Sequence, residues 1–203
     1  MMQKPSAVIF DLGKVLLDFD YGKVASQMLK YCDLSRAEIV RALNQSPLLH
    51  RYETGMLSSS EFFEEVRTLS RFCGEFTDFE TIFGDIFTPI PEMIDLNARL
   101  RVRRVPTYIF SNTNELAIKH IRATYPFFTN FAGYIFSYEH RSMKPDPTIY
   151  AALEHEVNLS GEALLYIDDR LENVQQGAAR GWRTIHHTNN KETISQVEEL
   201  LLR

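Results

Sequence analysis

The residues of this chain best suited to chemistry stand just after short apolar runs. Ala7-Val8-Ile9-Phe10 ends at Asp11, Thr107-Tyr108-Ile109-Phe110 at Ser111 and Asn112, and Leu164-Leu165-Tyr166-Ile167 at Asp168 and Asp169. Three carboxylates, a hydroxyl and an amide brought to one place suit an oxygen-ligated hard cation such as Mg²⁺. After a further run, Tyr134-Ile135-Phe136, the loop Arg141-Ser142-Met143-Lys144-Pro145-Asp146-Pro147 sets Lys144 just before a Pro-initiated helix. Its ammonium is a compact point charge that can neutralise phosphate oxygens and a neighbouring carboxylate. Singly, each residue also has a plain structural reading. Asp11 can be a turn residue, Ser111 a helix cap, Asp168-Asp169 the cap of the next helix, and Lys-Pro a common loop pair.

Whether these residues meet depends on the elements that carry them. The four apolar runs read as buried parallel strands, with Arg183-Thr184-Ile185-His186 as a weaker fifth. Helix-like stretches near 113–123, 147–157 and 170–180 separate the later runs, and alternation of this kind predicts a doubly wound parallel α/β sheet. In such a sheet ligands bind outside the carboxyl ends of the strands, which is where all five polar strand-end residues fall.

From about Tyr21 to Pro89 no strand-like run occurs. Ser35-x-x-Glu38 and Thr77-x-x-Glu80 read as capping boxes, and Phe72, Phe76, Phe79, Phe83 and Phe87 recur at helical spacing, as an aromatic stripe packed in a core. A helix from about Glu92 to Arg103 follows Pro89 and Pro91. The first crossover therefore holds an all-helical insertion of roughly 70 residues, far beyond the 10 to 12 a crossover needs. The expected division is a core of residues 1–17 and 90–203 and a helical unit of residues 18–89. The basic cluster Arg99, Arg101, Arg103 and Arg104 closes the returning helix, where cations complement the dipole.

Composition narrows the partners. With 203 residues, 44% of them hydrophobic and a formal charge of −5, the chain can bury a core and lacks the basic footprint of a nucleic-acid binder. No apolar run approaches the roughly 18 residues of a membrane span, and one Lys followed by four apolar residues is no signal peptide, so no membrane partner and a cytoplasmic location are expected. Cys32 and Cys73 form no metal or disulfide pattern and are expected to be reduced core thiols.

The ordered set Phe10-Asp11-Leu12-Gly13-Lys14-Val15, Phe110-Ser111-Asn112, Met143-Lys144-Pro145 and Ile167-Asp168-Asp169 resembles the four motifs of the haloacid dehalogenase-like hydrolase superfamily over nearly the whole chain. The resemblance implies a Rossmann-like core with a helical cap. It also implies Asp11 as nucleophile, Ser111 and Asn112 holding a transferring phosphoryl group, and Lys144 clamping it. Mg²⁺ would be held by Asp11, Asp169 and the carbonyl of Gly13, with Asp168 acting through water. The implied substrate is a small phosphorylated metabolite. A carboxylate attacks phosphorus only where cations and N–H groups cancel the repulsion between two anions, and the Asp168-Asp169 pair favours this metal-assisted branch over metal-free dehalogenation. Phosphonate cleavage through a cap lysine would have only Lys23 and Lys30 to draw on.

Phosphatases that this chain resembles carry a second Asp two residues after the nucleophile, as acid for the leaving oxygen and base for water. Here that position is Gly13. A substrate with a good leaving group, such as a sugar 1-phosphate, depends less on that proton, and the Asp-x-Gly motif with Ser111-Asn112-Thr113-Asn114 is similar to a bacterial subgroup acting on such esters. Asp18, Asp20 and Glu53 are the candidates for a surrogate acid; each also reads as a solvated or capping residue. His186 and His187, at the end of the last strand, read as edge packing. The alternative is a catalytically silent binding or regulatory protein that keeps the metal site.

Overall fold

The computed structural model describes residues 4–43 and 46–202. The chain begins with strand β1 (Ala7–Phe10), turns tightly into β2 (Leu17–Phe19), and passes through five helices: α1 (Tyr21–Met28), α2 (Arg36–Leu43), α3 (Pro47–Glu53), α4 (Ser59–Ser70) and α5 (Phe76–Gly84). It returns by β3 (Phe87–Pro89) and then alternates: α6 (Pro91–Val102), β4 (Thr107–Ser111), α7 (Glu115–Thr124), β5 (Gly133–Phe136), a short α8 (Ser137–His140), α9 (Pro147–Val157), β6 (Leu164–Asp168), α10 (Leu171–Ala179), β7 (Arg183–His186) and α11 (Asn190–Val197).

The main sheet is five-stranded and all parallel, in the order β5-β4-β1-β6-β7. Because side chains alternate along a strand, β1 serves two cores. Val8 and Phe10 pack with Ile109 and Ile167 against Leu96 and Leu100 of α6, Ile118 and Ile121 of α7, and Val197 of α11. Ala7 and Ile9 face the other way, with Phe110, Tyr166 and Trp182 against Ile149, Tyr150 and Leu153 of α9. Strand order reverses at β1, so the crevice of this doubly wound sheet lies at the carboxyl ends of β1, β4 and β6.

A third apolar cluster belongs to α1–α5, with Val24, Met28, Tyr52, Phe62, Phe79 and Phe83 at its centre, and it takes in Leu116 from α7. Rings stack within it, Tyr52 on Phe62 with centroids 4.2 Å apart. Several sequence expectations change here. The stretch Tyr21–Pro89 is not free of strand: β3 pairs antiparallel with β2, Phe19 opposite Phe87 and Leu17 opposite Pro89. Phe76, Phe79 and Phe83 do share α5, whereas Phe72 precedes that helix and Phe87 lies in β3. The capping box of α5 is Glu75 with Asp78 rather than Thr77 with Glu80. Ser35 and Glu38 bond reciprocally as expected. Cys32 and Cys73 are both free; Cys32 is half-buried against the helical cluster, whereas Cys73 is exposed rather than a core thiol. Among the described residues no helix is long and apolar enough to cross a membrane.

Candidate active site

Asp11 follows β1 directly, and its N–H still donates to the Ile167 carbonyl at 2.9 Å. Its carboxyl is almost fully buried, and Oδ1 accepts from the Leu12 N–H at 2.7 Å and lies 3.0 Å from the Lys144 Nζ. Oδ2 accepts no hydrogen bond from any described residue, which leaves one carboxylate oxygen for a ligand. Burial pushes the Asp11 carboxyl well up from its ordinary range, and the nearby charges of Asp168 and Asp169 add to this against the pull of Lys144.

Lys144 uses all three of its ammonium protons. They point to Asp11, to Asp168 Oδ2 at 2.7 Å and to the Phe110 carbonyl at 2.8 Å. Burial disfavours the charge, yet Asp11 and Asp168 raise the Lys144 pKa above its usual value, so the ammonium is retained. Its backbone is gripped as well: the Asn112 Nδ2 donates to the Lys144 carbonyl at 2.9 Å, and the Lys144 N–H donates to Asn112 Oδ1 at 2.8 Å. Ser137, at the end of β5, fixes the neighbouring loop by accepting from the Thr113 N–H at 2.9 Å and donating to the Thr113 carbonyl at 3.1 Å.

Asp168 is wholly buried. Its Oδ1 accepts from the Arg170 N–H at 2.8 Å and the Asn173 Nδ2 at 3.0 Å, while Oδ2 takes Lys144 and the Tyr166 hydroxyl. Burial opposes its ionisation, but Lys144 and these donors hold the carboxyl below its ordinary value. Tyr166 and Asn173 escaped the sequence reading. The signal for Tyr166 was present, since residues two apart on a strand share a face; Asn173 depends on how α10 is set against β6. Asp169 is half-buried, and burial with the charge of Asp168 pushes its carboxyl up. Carboxylate oxygens of Asp11, Asp168 and Asp169 all lie within 4.8 Å of one another. Three carboxyl groups face one ammonium in a largely buried place, and a divalent cation would supply the positive charge that lets all three ionise together.

The cluster opens into a cleft of about 890 Å³ between the sheet and the helical unit. Asp11, Gly13, Ser111, Asn112, Lys144 and Asp169 of the sheet loops and Tyr21, Leu49, His50 and Glu53 of the helices α1 and α3 line it together. The sequence-selected site residues are thus brought together, except that the walls of the cleft do not include the wholly buried Asp168. At Gly13 a Cβ would meet the Phe19 ring at 2.9 Å, so any side chain there requires that ring to shift. Among the surrogate candidates, the exposed Asp18 pairs with Lys14 and accepts from the Phe19 N–H at 2.8 Å. Asp20 caps α1 by accepting from the Gly22 N–H at 2.7 Å. Glu53 takes no hydrogen bond or ion pair from any described residue, and burial pushes its carboxyl up to about 7 against the opposing charge of Arg170. Lys23 and Lys30 are not among the lining residues. His187 is buried and pairs with Thr193, and His186 meets the Asp169 carbonyl at 3.0 Å.

A Rossmann-like parallel sheet thus carries a buried carboxyl, a lysine and an acidic pair at its switch point. The family profile for haloacid dehalogenase-like hydrolases matches residues 5–181, and the chain belongs to that family. It is similar to the sesquiterpene phosphatase astK of Aspergillus oryzae, 22% identical over 96% of each chain. Among solved structures it is similar to a HAD-like family hydrolase from Porphyromonas gingivalis, with a TM-score of 0.83 and 21% identity over 99% of this chain and 100% of that one. It is similar also to a HAD family enzyme from Bacteroides thetaiotaomicron in complex with magnesium and inorganic phosphate. That likeness has a TM-score of 0.78 and 20% identity over 89% of this chain and 93% of that one.

Proposed function

We propose that this hydrolase is a Mg²⁺-dependent phosphatase of small phosphorylated metabolites that works through a phosphoryl group carried on Asp11. The observation that carries the reading is the placement of Asp11: one carboxyl oxygen is held by Leu12 and Lys144, the other is unengaged by any described residue, and the carboxyls of Asp168 and Asp169 lie within 4.8 Å. Asp11, Asp169 and the Gly13 carbonyl would hold the cation, with Asp168 acting through water because its own oxygens are occupied. Bound there, Mg²⁺ supplies the positive charge that lets an anionic nucleophile meet an anionic phosphoryl group.

The chain's own residues do the rest. Asp11 attacks phosphorus in line with the leaving oxygen. Lys144, fixed through Asn112, works with the cation against the burial that favours protonated Asp11 and adds positive charge beside the transferring group. The Ser111 hydroxyl and the Asn112 backbone N–H bind the phosphoryl oxygens, since the Asn112 side chain is committed to Lys144. Water then releases phosphate from Asp11. Residues 18–89 act as a cap over a core of 1–17 and 90–203, excluding bulk water and choosing the leaving group. The cleft's mixture of polar and apolar side chains suits a sugar 1-phosphate, and the phosphatase relative points to phosphate esters with larger apolar parts as a second group to try.

The reading is tested by phosphate release from sugar 1-phosphates, alkyl and aryl phosphates, with and without Mg²⁺. Turnover that requires Mg²⁺ and disappears in Asp11→Asn is the expected result. Binding of Mg²⁺ without turnover on any ester would favour the silent binding protein, and haloacid hydrolysis in EDTA would favour dehalogenation.

A further inference from the structure

The acid that the site lacks two residues after Asp11 can come from a helix that lines the same cleft. Glu53 ends α3 and lines the same cleft as Asp11, Ser111 and Lys144. The residues on either side of it are fastened to the sheet unit. Before it, the Tyr52 hydroxyl accepts from the Leu116 N–H at 3.1 Å, at the start of α7, and is 2.7 Å from Ser59, which donates in turn to Glu115 of α7. After it, Gly55 has φ +66° and lies so close to α8 that a Cβ there would stand 2.1 Å from the Tyr138 carbonyl. Only glycine permits both that conformation and that approach.

A carboxyl held between two anchors is positioned, and this one is not spent on structure. Asp18 and Asp20 make an ion pair and a helix cap, whereas Glu53 has neither among the described residues. Resting on the phosphatase reading above, we propose that Glu53 is the proton donor to the leaving oxygen and the base that activates the hydrolytic water, in place of the carboxylate absent at Gly13.

The protons balance. In the first step Asp11 bonds to phosphorus, the bond from phosphorus to the ester oxygen breaks, and that oxygen takes the Glu53 proton as the alcohol leaves. In the second, water bonds to phosphorus, gives its proton to the Glu53 carboxylate, and the bond to Asp11 breaks. Phosphate departs with Asp11 ionised and Glu53 protonated again. Burial supports the protonated form near neutral pH, and Arg170 and the Tyr21 hydroxyl are the charged and titratable groups that interact with Glu53 from the elements around it.

The test uses the full chain with Mg²⁺, comparing wild type, Glu53→Gln and Glu53→Asp on alkyl and aryl phosphates. The expected result is a loss of kcat/KM in Glu53→Gln of about 10²- to 10⁴-fold on alkyl esters and a much smaller loss in the first step with aryl esters. With an aryl ester the same variant should accumulate phosphorylated Asp11, seen as added mass after acid quench, because the water step has lost its base. Glu53→Asp should recover part of the alkyl activity and lower the accumulation, and it serves as the informative variant if Glu53→Gln melts early. A Glu53→Gln enzyme whose losses are equal for both ester classes, with no phosphorylated protein, overturns the role of Glu53 while leaving the phosphatase reading intact. A wild type that releases no phosphate from any ester overturns both.

Discussion

Asn112 and Lys144, 32 residues apart, hold each other by two hydrogen bonds from one side-chain amide to one backbone unit, at 2.9 and 2.8 Å. The end of β4 is thereby tied to the loop before α9, and the ammonium that faces Asp11 has its backbone fixed. Asn112→Ala is expected to cost about 1–3 kcal/mol, the price of leaving partly buried backbone groups unpaired. Its kcat should fall more than its KM rises, as the clamp loses its position. Urea unfolding and steady-state kinetics on the same preparation check both.

Removing the ammonium itself is a larger change. Lys144→Met leaves Asp11 and Asp168 buried beside Asp169 with no positive partner, and breaking a buried ion pair on one side costs about 3–5 kcal/mol. The loss should show in unfolding without metal. Mg²⁺ should then raise the melting temperature by binding the folded state, and a melting temperature insensitive to Mg²⁺ in both wild type and variant would contradict a cation site at these carboxylates.

Restoring an acid at position 13 will not succeed by itself. A Cβ there meets the Phe19 ring at 2.9 Å, and Lys14 stands over the same ring at 4.8 Å. Gly13→Asp is expected to lower stability by about 1–3 kcal/mol, as overpacking does, without improving turnover of alkyl phosphates. Gly13→Asp with Phe19→Ala should recover stability relative to the single variant and show the gain in alkyl turnover. Melting curves and ester kinetics on the two variants separate steric from chemical effects.

Glu53 should leave a mark on stability as well as on rate. Its folded pKa, about 7, lies above the ordinary 4.5, so between those values the folded state binds more protons than the unfolded one. Stability from this group is therefore complete below about pH 4.5, falls as pH rises, and is lost by about pH 7, amounting to a few kcal/mol. Glu53→Gln should be relatively more stable than wild type at pH 8 than at pH 5. Urea midpoints at the two pH values measure the difference.

Gly55 is expected to accept no side chain. Gly55→Ala combines positive φ with a collision against the Tyr138 carbonyl, and a loss of more than about 1 kcal/mol should accompany reduced activity as the Glu53 turn leaves the sheet edge. Thermal melting with kinetics on alkyl and aryl esters checks this; the alkyl esters should suffer more.

Much of the molecule was legible in the chain because it rests on local rules. The strands are apolar runs ended by polar residues, so Asp11, Ser111, Asp168 and Asp169 could be set at one sheet edge from alternation and strand ends alone, and the helices at 147–157 and 170–180 from their breaks and caps. The ribbon of β2 and β3 was not legible, because three residues per strand carry too little periodicity to distinguish them from loop. The cap of α5 lies two residues earlier than the pattern suggested, because Glu75 with Asp78 offers the same reciprocal bonds as Thr77 with Glu80 and the pattern alone does not choose between them. Three relationships at the site were not read from the chain: Phe19 against Gly13, Asn112 on the Lys144 backbone, and Glu53 in the cleft that Asp11 lines. The first is set within the tight turn from β1 into β2, and the other two bring together residues far apart in the chain, so they depend on how separate elements dock. The types of group available for chemistry are written in the chain; which of Asp18, Asp20 and Glu53 is left without a partner among the described residues is decided by packing, because an ion pair and a helix cap occupy two of them and the anchors at Tyr52 and Gly55 hold the third in the cleft that Asp11 also lines.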